Sequence, residues 1–189
     1  MPNLDAVILA GGKSSRFGSI KSLHIVAGKP MIRHAVECIE GAGANLVGII
    51  TSDELQQPLS EFGPTFVDDV PDCGPIAGLL TAARIVTSDY FLVLPCDMPF
   101  VKSESLVAMA DQCAQYGLTA CVAADESGRL SPLCGCYHQS IVTALVDKLS
   151  SPDRSVHALL KSINQVRSVC LSERELANMN TLSDTRAGR

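Results

Sequence analysis

An apolar run of strand length, Ala6-Val7-Ile8-Leu9, passes directly into a glycine-rich cationic loop, Ala10-Gly11-Gly12-Lys13-Ser14-Ser15-Arg16-Phe17-Gly18-Ser19-Ile20-Lys21. A buried strand that ends in such a loop is suited to holding polyphosphate. Glycine lets the backbone approach phosphate oxygens, successive N–H groups form an anion nest, and the cations neutralise charge. The start of the chain therefore points to nucleotide chemistry, and the strand before it must lie inside a sheet.

Two commoner phosphate loops do not fit. A P-loop needs a glycine five positions before its Gly-Lys-Ser/Thr ending. Gly12-Lys13-Ser14 has the ending, but the earlier glycine would fall at Val7. A dinucleotide fingerprint needs Gly-x-Gly-x-x-Gly, and Gly11-Gly12 does not supply it. What remains is L-A-G-G-x-S-x-R-F-G-x-x-K, read from Leu9 to Lys21.

Downstream, strand-like and helix-like segments alternate. Strands are expected at 7–9, 46–50, 65–67, 90–94, 119–124, 133–138 and 165–171. Helices are expected at 31–40, 52–62, 76–86, 103–116, 141–149 and 155–163. Pro30 precedes the first helix and Gly41 and Gly43 follow it, the usual asymmetry of helix ends. Ser103 and Ser155 are placed as N-caps. Repeated βα units imply a mostly parallel sheet in three layers. The absence of a linker, internal repeat or second core makes 1–189 one domain, with 186–189 a frayed tail. Open α/β sheets bind ligands beyond the carboxyl ends of their strands, so the loops after Leu9, Ile50, Val67 and Leu94 should share one rim.

Composition narrows the partners. A hydrophobic fraction of 47% and a charged fraction of 19% fit a globular protein. The net charge of −5 argues against general nucleic-acid binding, and no run approaches the ~20 apolar residues of a membrane span. Met1-Pro2-Asn3-Leu4-Asp5 has no basic n-region, so the first apolar run reads as a core strand and not a signal peptide. The eight cysteines include no Cys-x-x-Cys pair. Cys134 and Cys136 would share one face of a strand, and buried cytoplasmic thiols are the preferred reading over a zinc site.

Three further stretches carry chemistry. In Leu94-Pro95-Cys96-Asp97-Met98-Pro99-Phe100, an acid directly follows an apolar strand. Mg²⁺ prefers a carboxylate with phosphate oxygens and water, so Asp97 is read as its ligand. In Val67-Asp68-Asp69-Val70-Pro71-Asp72-Cys73-Gly74-Pro75-Ile76-Ala77-Gly78-Leu79, Gly74-Pro75 shapes a loop entering a helix and Gly78 permits close approach. Asp69 and Asp72 are read as solvated loop carboxylates. In Asn178-Met179-Asn180-Thr181-Leu182-Ser183-Asp184, Asn180 either meets a phosphate or the metal-site loop, or caps a local turn. His24, His34, His138 and His157 show no ligand spacing. Ser14 and Ser15 precede no recognisable base.

These motifs resemble, first, the nucleotidyltransferases with a Rossmann-like α/β/α fold, and then the molybdenum cofactor guanylyltransferases among them. The second step rests on Gly74-Pro75-Ile76-Ala77-Gly78-Leu79 and Leu94-Pro95-Cys96-Asp97-Met98-Pro99. The chain departs from the family's pattern at Leu182, where proline is usual, and at Ile20, where aspartate is usual. The resemblance implies transfer of GMP from GTP to the terminal phosphate of a molybdopterin-type cofactor, with release of pyrophosphate. Leu9, Ala10, Gly11, Gly12 and Asp68 would bind the nucleotide. Arg16 and Lys21 would neutralise phosphate charge, and Asp97 would hold Mg²⁺. Ser52, after its strand, is read as a base or ribose contact. Arg129 to Leu133 lie where the family contacts its acceptor, and transient contacts with cofactor-biosynthesis proteins or molybdoenzymes are implied as partners. A transferase using CTP or a sugar phosphate, and a non-catalytic nucleotide or cofactor carrier, are the alternatives.

Overall fold

A computed structural model describes residues 4–11, 20–68 and 73–179. Strand β1 (Asp5–Leu9) is followed by a 3₁₀ turn (Lys21–Leu23) and a small hairpin of β2 (Ile25–Val26) and β3 (Lys29–Pro30). Then come α1 (Met31–Gly41), β4 (Asn45–Thr51), α2 (Asp53–Leu59), β5 (Thr65–Val67), α3 (Pro75–Ile85) and β6 (Tyr90–Pro95). The rest comprises α4 (Ser103–Tyr116), β7 (Ala120–Ala124), β8 (Leu130–His138), α5 (Ile141–Leu149), α6 (Val156–Ser162) and β9 (Val166–Cys170).

Seven strands form the main sheet, in the order β5-β4-β1-β6-β8-β7-β9. Only β8 runs against its neighbours; the β5–β4, β4–β1, β1–β6 and β7–β9 pairings are parallel. The sheet is the mostly parallel α/β/α arrangement expected from the repeats. Alternation along the strands divides the core. Ile8, Leu92, Cys121, Cys134 and Cys136 face α1 and α4. Val7, Phe91, Val93, Val122 and Tyr137 face α3, α5 and α6. Cys134 and Cys136 thus share a face, and burial pushes the Cys38 and Cys96 thiols up to about 12, which keeps them protonated.

Several boundaries differ from the sequence reading for identifiable reasons. Ser103 is the first helical residue of α4 and not its cap; Lys102 takes the cap position without a side-chain bond. The Ser103 hydroxyl is turned toward α1, where a Cβ at Gly41 would collide with it. Ser155 does cap α6, accepting from the Ala158 N–H at 3.1 Å. Helix α2 stops at Leu59, three residues short of the expected end at 62. Pro58 in its last turn has no N–H to extend the ladder. The β2–β3 hairpin was not expected; strands of two residues carry too little periodicity to be read.

The irregularity that matters most lies in β8. Its lower half pairs with β6 from Tyr90↔His138 to Val93↔Gly135, and with β7 from Ala120↔Tyr137 to Val122↔Gly135. Beyond that point the β7 register jumps to Ala123↔Ser131. Pro132, Leu133 and Cys134 therefore bulge out of the ladder, and Leu94 and Pro95 of β6 have no partner in β8. Proline cannot donate to a ladder, so it belongs at such a break. The buried Tyr137 hydroxyl donates to the Pro132 carbonyl and fixes the bulge. β6 and β8 consequently separate at the rim where the parallel strands end.

At the opposite end, Asp5 is buried at 1% exposure. Its carboxylate accepts from the Thr87 N–H at 2.7 Å and the Ser88 N–H at 3.1 Å, tying β1 to the turn before β6. Burial works against ionisation, but these bonds, with the Thr87 hydroxyl and Asn45, outweigh it and hold the carboxyl below its ordinary value.

Two outcomes are expected. Tyr137→Phe leaves the Pro132 carbonyl buried without its donor, and urea unfolding should show a loss of about 1–3 kcal/mol. Because the Asp5 carboxyl titrates lower folded than unfolded, its stabilisation is present above the unfolded pKa and is lost as pH falls through the folded one. Asp5→Asn should therefore flatten the fall of stability on the acid side of the usual carboxylate range, as read by thermal melts from neutral pH downward.

Candidate active site

The end of β1 is clamped to both neighbouring strands. The Ala10 N–H donates to the Ile50 carbonyl at 2.8 Å, and the Cys96 N–H donates to the Leu9 carbonyl at 3.0 Å. The Thr51 hydroxyl donates to the Ala10 carbonyl at 3.3 Å. The entry to the glycine loop is thereby fixed relative to the ends of β4 and β6. Each of the two carbonyls keeps a second lone pair.

Across from this entry, α3 begins at Gly74 with φ +67°, a left-handed conformation that glycine adopts without strain. Pro75 follows at the start of the helix. One turn on, a Cβ at Gly78 would lie 3.4 Å from Asp68 Oδ1 and 3.5 Å from Leu9 Cδ2. Glycine there keeps the wall between Leu9, Ile50 and Asp68 flat. These elements enclose a cavity of about 320 Å³, completed by Gly11, Lys21, Ser22, Pro95, Cys96, Asp97 and Leu133.

Lys21, in the 3₁₀ turn, reaches across to the end of β6. Its Nζ donates to Asp97 Oδ2 at 2.8 Å, and the two side chains are 21% and 26% exposed. The Asp97 carbonyl accepts from the Met179 N–H at 2.9 Å, so the C-terminal segment also anchors this loop. Asp97 stands at a boundary. On its other side, the gap between β6 and β8 opens a second cavity of about 680 Å³. That cavity shares Pro95, Asp97 and Leu133 with the first and continues past Arg129, Ser131, His157, Glu173 and Asn178.

No three His, Cys, Asp or Glu side chains converge as metal ligands among the described residues. Asp97 supplies one carboxylate at the cavity wall, and Asp68 lines the same cavity. That donor set fits a hard cation whose remaining ligands are phosphate oxygens and water, the habit of Mg²⁺, and does not fit a cage built from protein alone.

The structure brings Leu9, Ala10, Gly11, Lys21, Asp68 and Asp97 together on one cavity, from four separate stretches of chain. Ser52 is not among the lining residues; it is exposed at the start of α2, where the end of β4 turns its side chain to the outside. Gly12, Arg16, Asn180, Asp69 and Asp72 lie outside the described residues. The Lys21–Asp97 pair, the Ser22 position and the shared wall of the two cavities were not read from sequence. Only the Arg129 to Leu133 stretch gave a signal for the second cavity.

The MobA-like NTP transferase domain family matches residues 6–168. A protein of Yersinia pestis (strain Pestoides F) named molybdenum cofactor guanylyltransferase is 33% identical over 187 residues, covering 97% of this chain and 93% of that one. Among solved structures, molybdopterin-guanine dinucleotide biosynthesis protein A from Archaeoglobus fulgidus superposes with a TM-score of 0.80 at 23% identity, covering 98% of this chain and 96% of that one. A nucleotidyl transferase from Methanothermobacter thermautotroptrophicus gives 0.77 at 22% identity, with 99% and 96% covered. At those identities the two structures speak for the fold.

The Lys21–Asp97 pair is partly solvated, and such pairs contribute little to stability. Lys21→Ala should change the urea unfolding free energy by no more than about 1 kcal/mol, leaving a folded protein in which the role of the cation can be assayed.

Proposed function

Since the chain belongs to the family of MobA-like NTP transferases, we propose that it transfers GMP from GTP to the terminal phosphate of a molybdopterin-type cofactor. The observation that carries this reading is the shared wall. The smaller cavity is lined by Leu9, Ala10, Asp68 and Gly78 together with Lys21 and Asp97. The larger one begins where Asp97 ends the first. A nucleotide in the first would present its phosphates at Asp97, and an acceptor in the second would meet them there.

The lining around Leu9, Ala10 and Gly78 suits guanine. The Leu9 and Ala10 carbonyls each retain a lone pair, and the N1–H and N2–H₂ groups of guanine are adjacent donors. The Gly78 wall leaves room for a flat ring. Asp68, held 3.4 Å from the position of a Gly78 Cβ, borders the same lining.

Beside Lys21 and Asp97, an oxygen of the acceptor's terminal phosphate attacks the α-phosphorus of GTP. The new P–O bond forms as the bond to the β-phosphate oxygen breaks, and pyrophosphate leaves with the electron pair. That attacking oxygen is already anionic near neutral pH, so no side chain need remove a proton. The protein's part is positioning and charge stabilisation. Lys21, drawn from Asp97 toward the phosphates, and Arg16 of the loop neutralise the departing pyrophosphate. Asp97, released from Lys21, is the carboxylate that would hold Mg²⁺. When bound, the cation would offset charge on the phosphate oxygens. The Met179 bond holds the Asp97 backbone still while its side chain changes partner.

No helix among the described residues is long and apolar enough to cross a membrane. With eight unpaired cysteines, the chain suits a reducing compartment, and we place its work in the cytoplasm. Hand-over of the labile product to cofactor-biosynthesis proteins or molybdoenzymes would then be transient.

Calorimetry with GTP, CTP, ATP and UTP in the presence of Mg²⁺ should show selective binding of GTP, and preference for another nucleotide would overturn the guanine assignment. Asp97→Ala and Lys21→Ala should each lower turnover about 10²–10³-fold while remaining folded. Removal of divalent cations by chelation should abolish pyrophosphate release, and addition of Mg²⁺ should restore it.

A further inference from the structure

Ser22 has no place in the scheme above, yet its environment is unusual. It is 2% exposed, it lines the smaller cavity beside Lys21 and Asp97, and its Oγ has no hydrogen-bond partner among the described residues. Buried hydroxyls are nearly always satisfied, because one stripped of water and given no partner is unfavourable. Serine is also unnecessary for this local fold. The 3₁₀ turn is closed by backbone bonds, Leu23 N–H to the Ile20 carbonyl at 3.1 Å and His24 N–H to the Lys21 carbonyl at 3.0 Å. The His24 carbonyl in turn accepts from the Met31 N–H at 2.9 Å, which fastens the turn to α1. Alanine would fill the same space and remove the unsatisfied group.

A polar atom kept unsatisfied at the wall of a cavity calls for a partner that arrives from outside. Among the residues that line the cavity Lys21 is the cation, and Ser22 follows it directly. We propose that the Ser22 hydroxyl is a nucleotide-binding group that donates a hydrogen bond to a phosphate oxygen of the bound nucleoside triphosphate. This rests on the nucleotide reading of the smaller cavity. Rotation about the single Cα–Cβ bond swings the hydroxyl between staggered positions, so the backbone of the turn stays in place as the bond forms. The turn thus contributes two donors to one phosphate group: a cation on a long side chain from Lys21 and a neutral donor on a short one from Ser22.

The inference predicts opposite effects of one substitution. In Ser22→Ala, the ligand-free protein should melt at the same temperature as the unsubstituted one or higher, because an unsatisfied buried hydroxyl is gone. Its affinity for GTP with Mg²⁺ should fall about tenfold, the loss of one hydrogen bond to a charged acceptor, while its affinity for guanosine stays unchanged. Calorimetry with GTP and guanosine, beside a thermal melt without ligand, reads all three. Equal GTP affinity in the two proteins would overturn the contact, as would an equal loss for GTP and guanosine. A lowered melting temperature accompanied by weaker binding would assign Ser22 a structural role and overturn it too. If the unsubstituted protein binds CTP, ATP or UTP in place of GTP, the guanine assignment fails alone, and the Ser22 comparison is read with that nucleotide and its nucleoside. If it binds no nucleotide, the reading of the cavity fails and the contact falls with it.

Discussion

The parting of β6 and β8 at the rim is the feature on which both cavities depend. Below Val93 and Gly135 the two strands pair in an ordinary antiparallel ladder. Above that point Pro132, Leu133 and Cys134 leave the ladder, and Pro95 and Leu133 face the opening. An unbroken sheet would have closed this space with backbone hydrogen bonds. The bulge is tolerable because proline needs no donor partner and Tyr137 supplies a bond to its carbonyl from within the core. A seam opened in the middle of a sheet places one carboxylate, Asp97, between two spaces.

Asp97 is held there from three directions. The Cys96 N–H fixes the chain to Leu9, the Met179 N–H bonds the Asp97 carbonyl, and Lys21 pairs with the side chain. The Met179 contact depends on the C-terminal turn. Glu175, 5% exposed, accepts from the Ser105 hydroxyl at 2.6 Å and the Ser172 hydroxyl at 2.8 Å. Burial opposes its ionisation, but these bonds keep its carboxyl below the ordinary range and charged. Met179 itself packs with Val26 and Met31. The hairpin after the glycine loop, the first helix and the end of the described chain thus meet behind the carboxylate that the proposed chemistry uses.

Much of this was legible because a parallel sheet obeys few rules. Apolar runs of strand length such as Phe91 to Leu94, bounded by turn residues, read as buried strands. Successive βα units put their carboxyl ends on one edge, so the loops after Leu9, Val67 and Leu94 had to converge. Ser52 shows where the rule stops. It follows its strand at the same edge, but whether a side chain faces the cavity depends on how the backbone turns into α2. Ser103 shows the same limit for capping, since its hydroxyl is turned toward α1 and not toward the N–H groups of its own helix.

The sequence by itself determined the order of strands and helices, the glycines at the loop entry and at Gly78, and the acid that ends β6. Each of these is encoded by local preference: apolar period, glycine's conformational freedom, and a carboxylate placed just past a strand. Only the tertiary structure decided that Lys21 meets Asp97, that Ser22 is buried beside them, and that the β8 bulge divides the site into two cavities. Those facts depend on the register between strands far apart in the chain and on which polar atoms lose water when the layers close, and no local pattern records either.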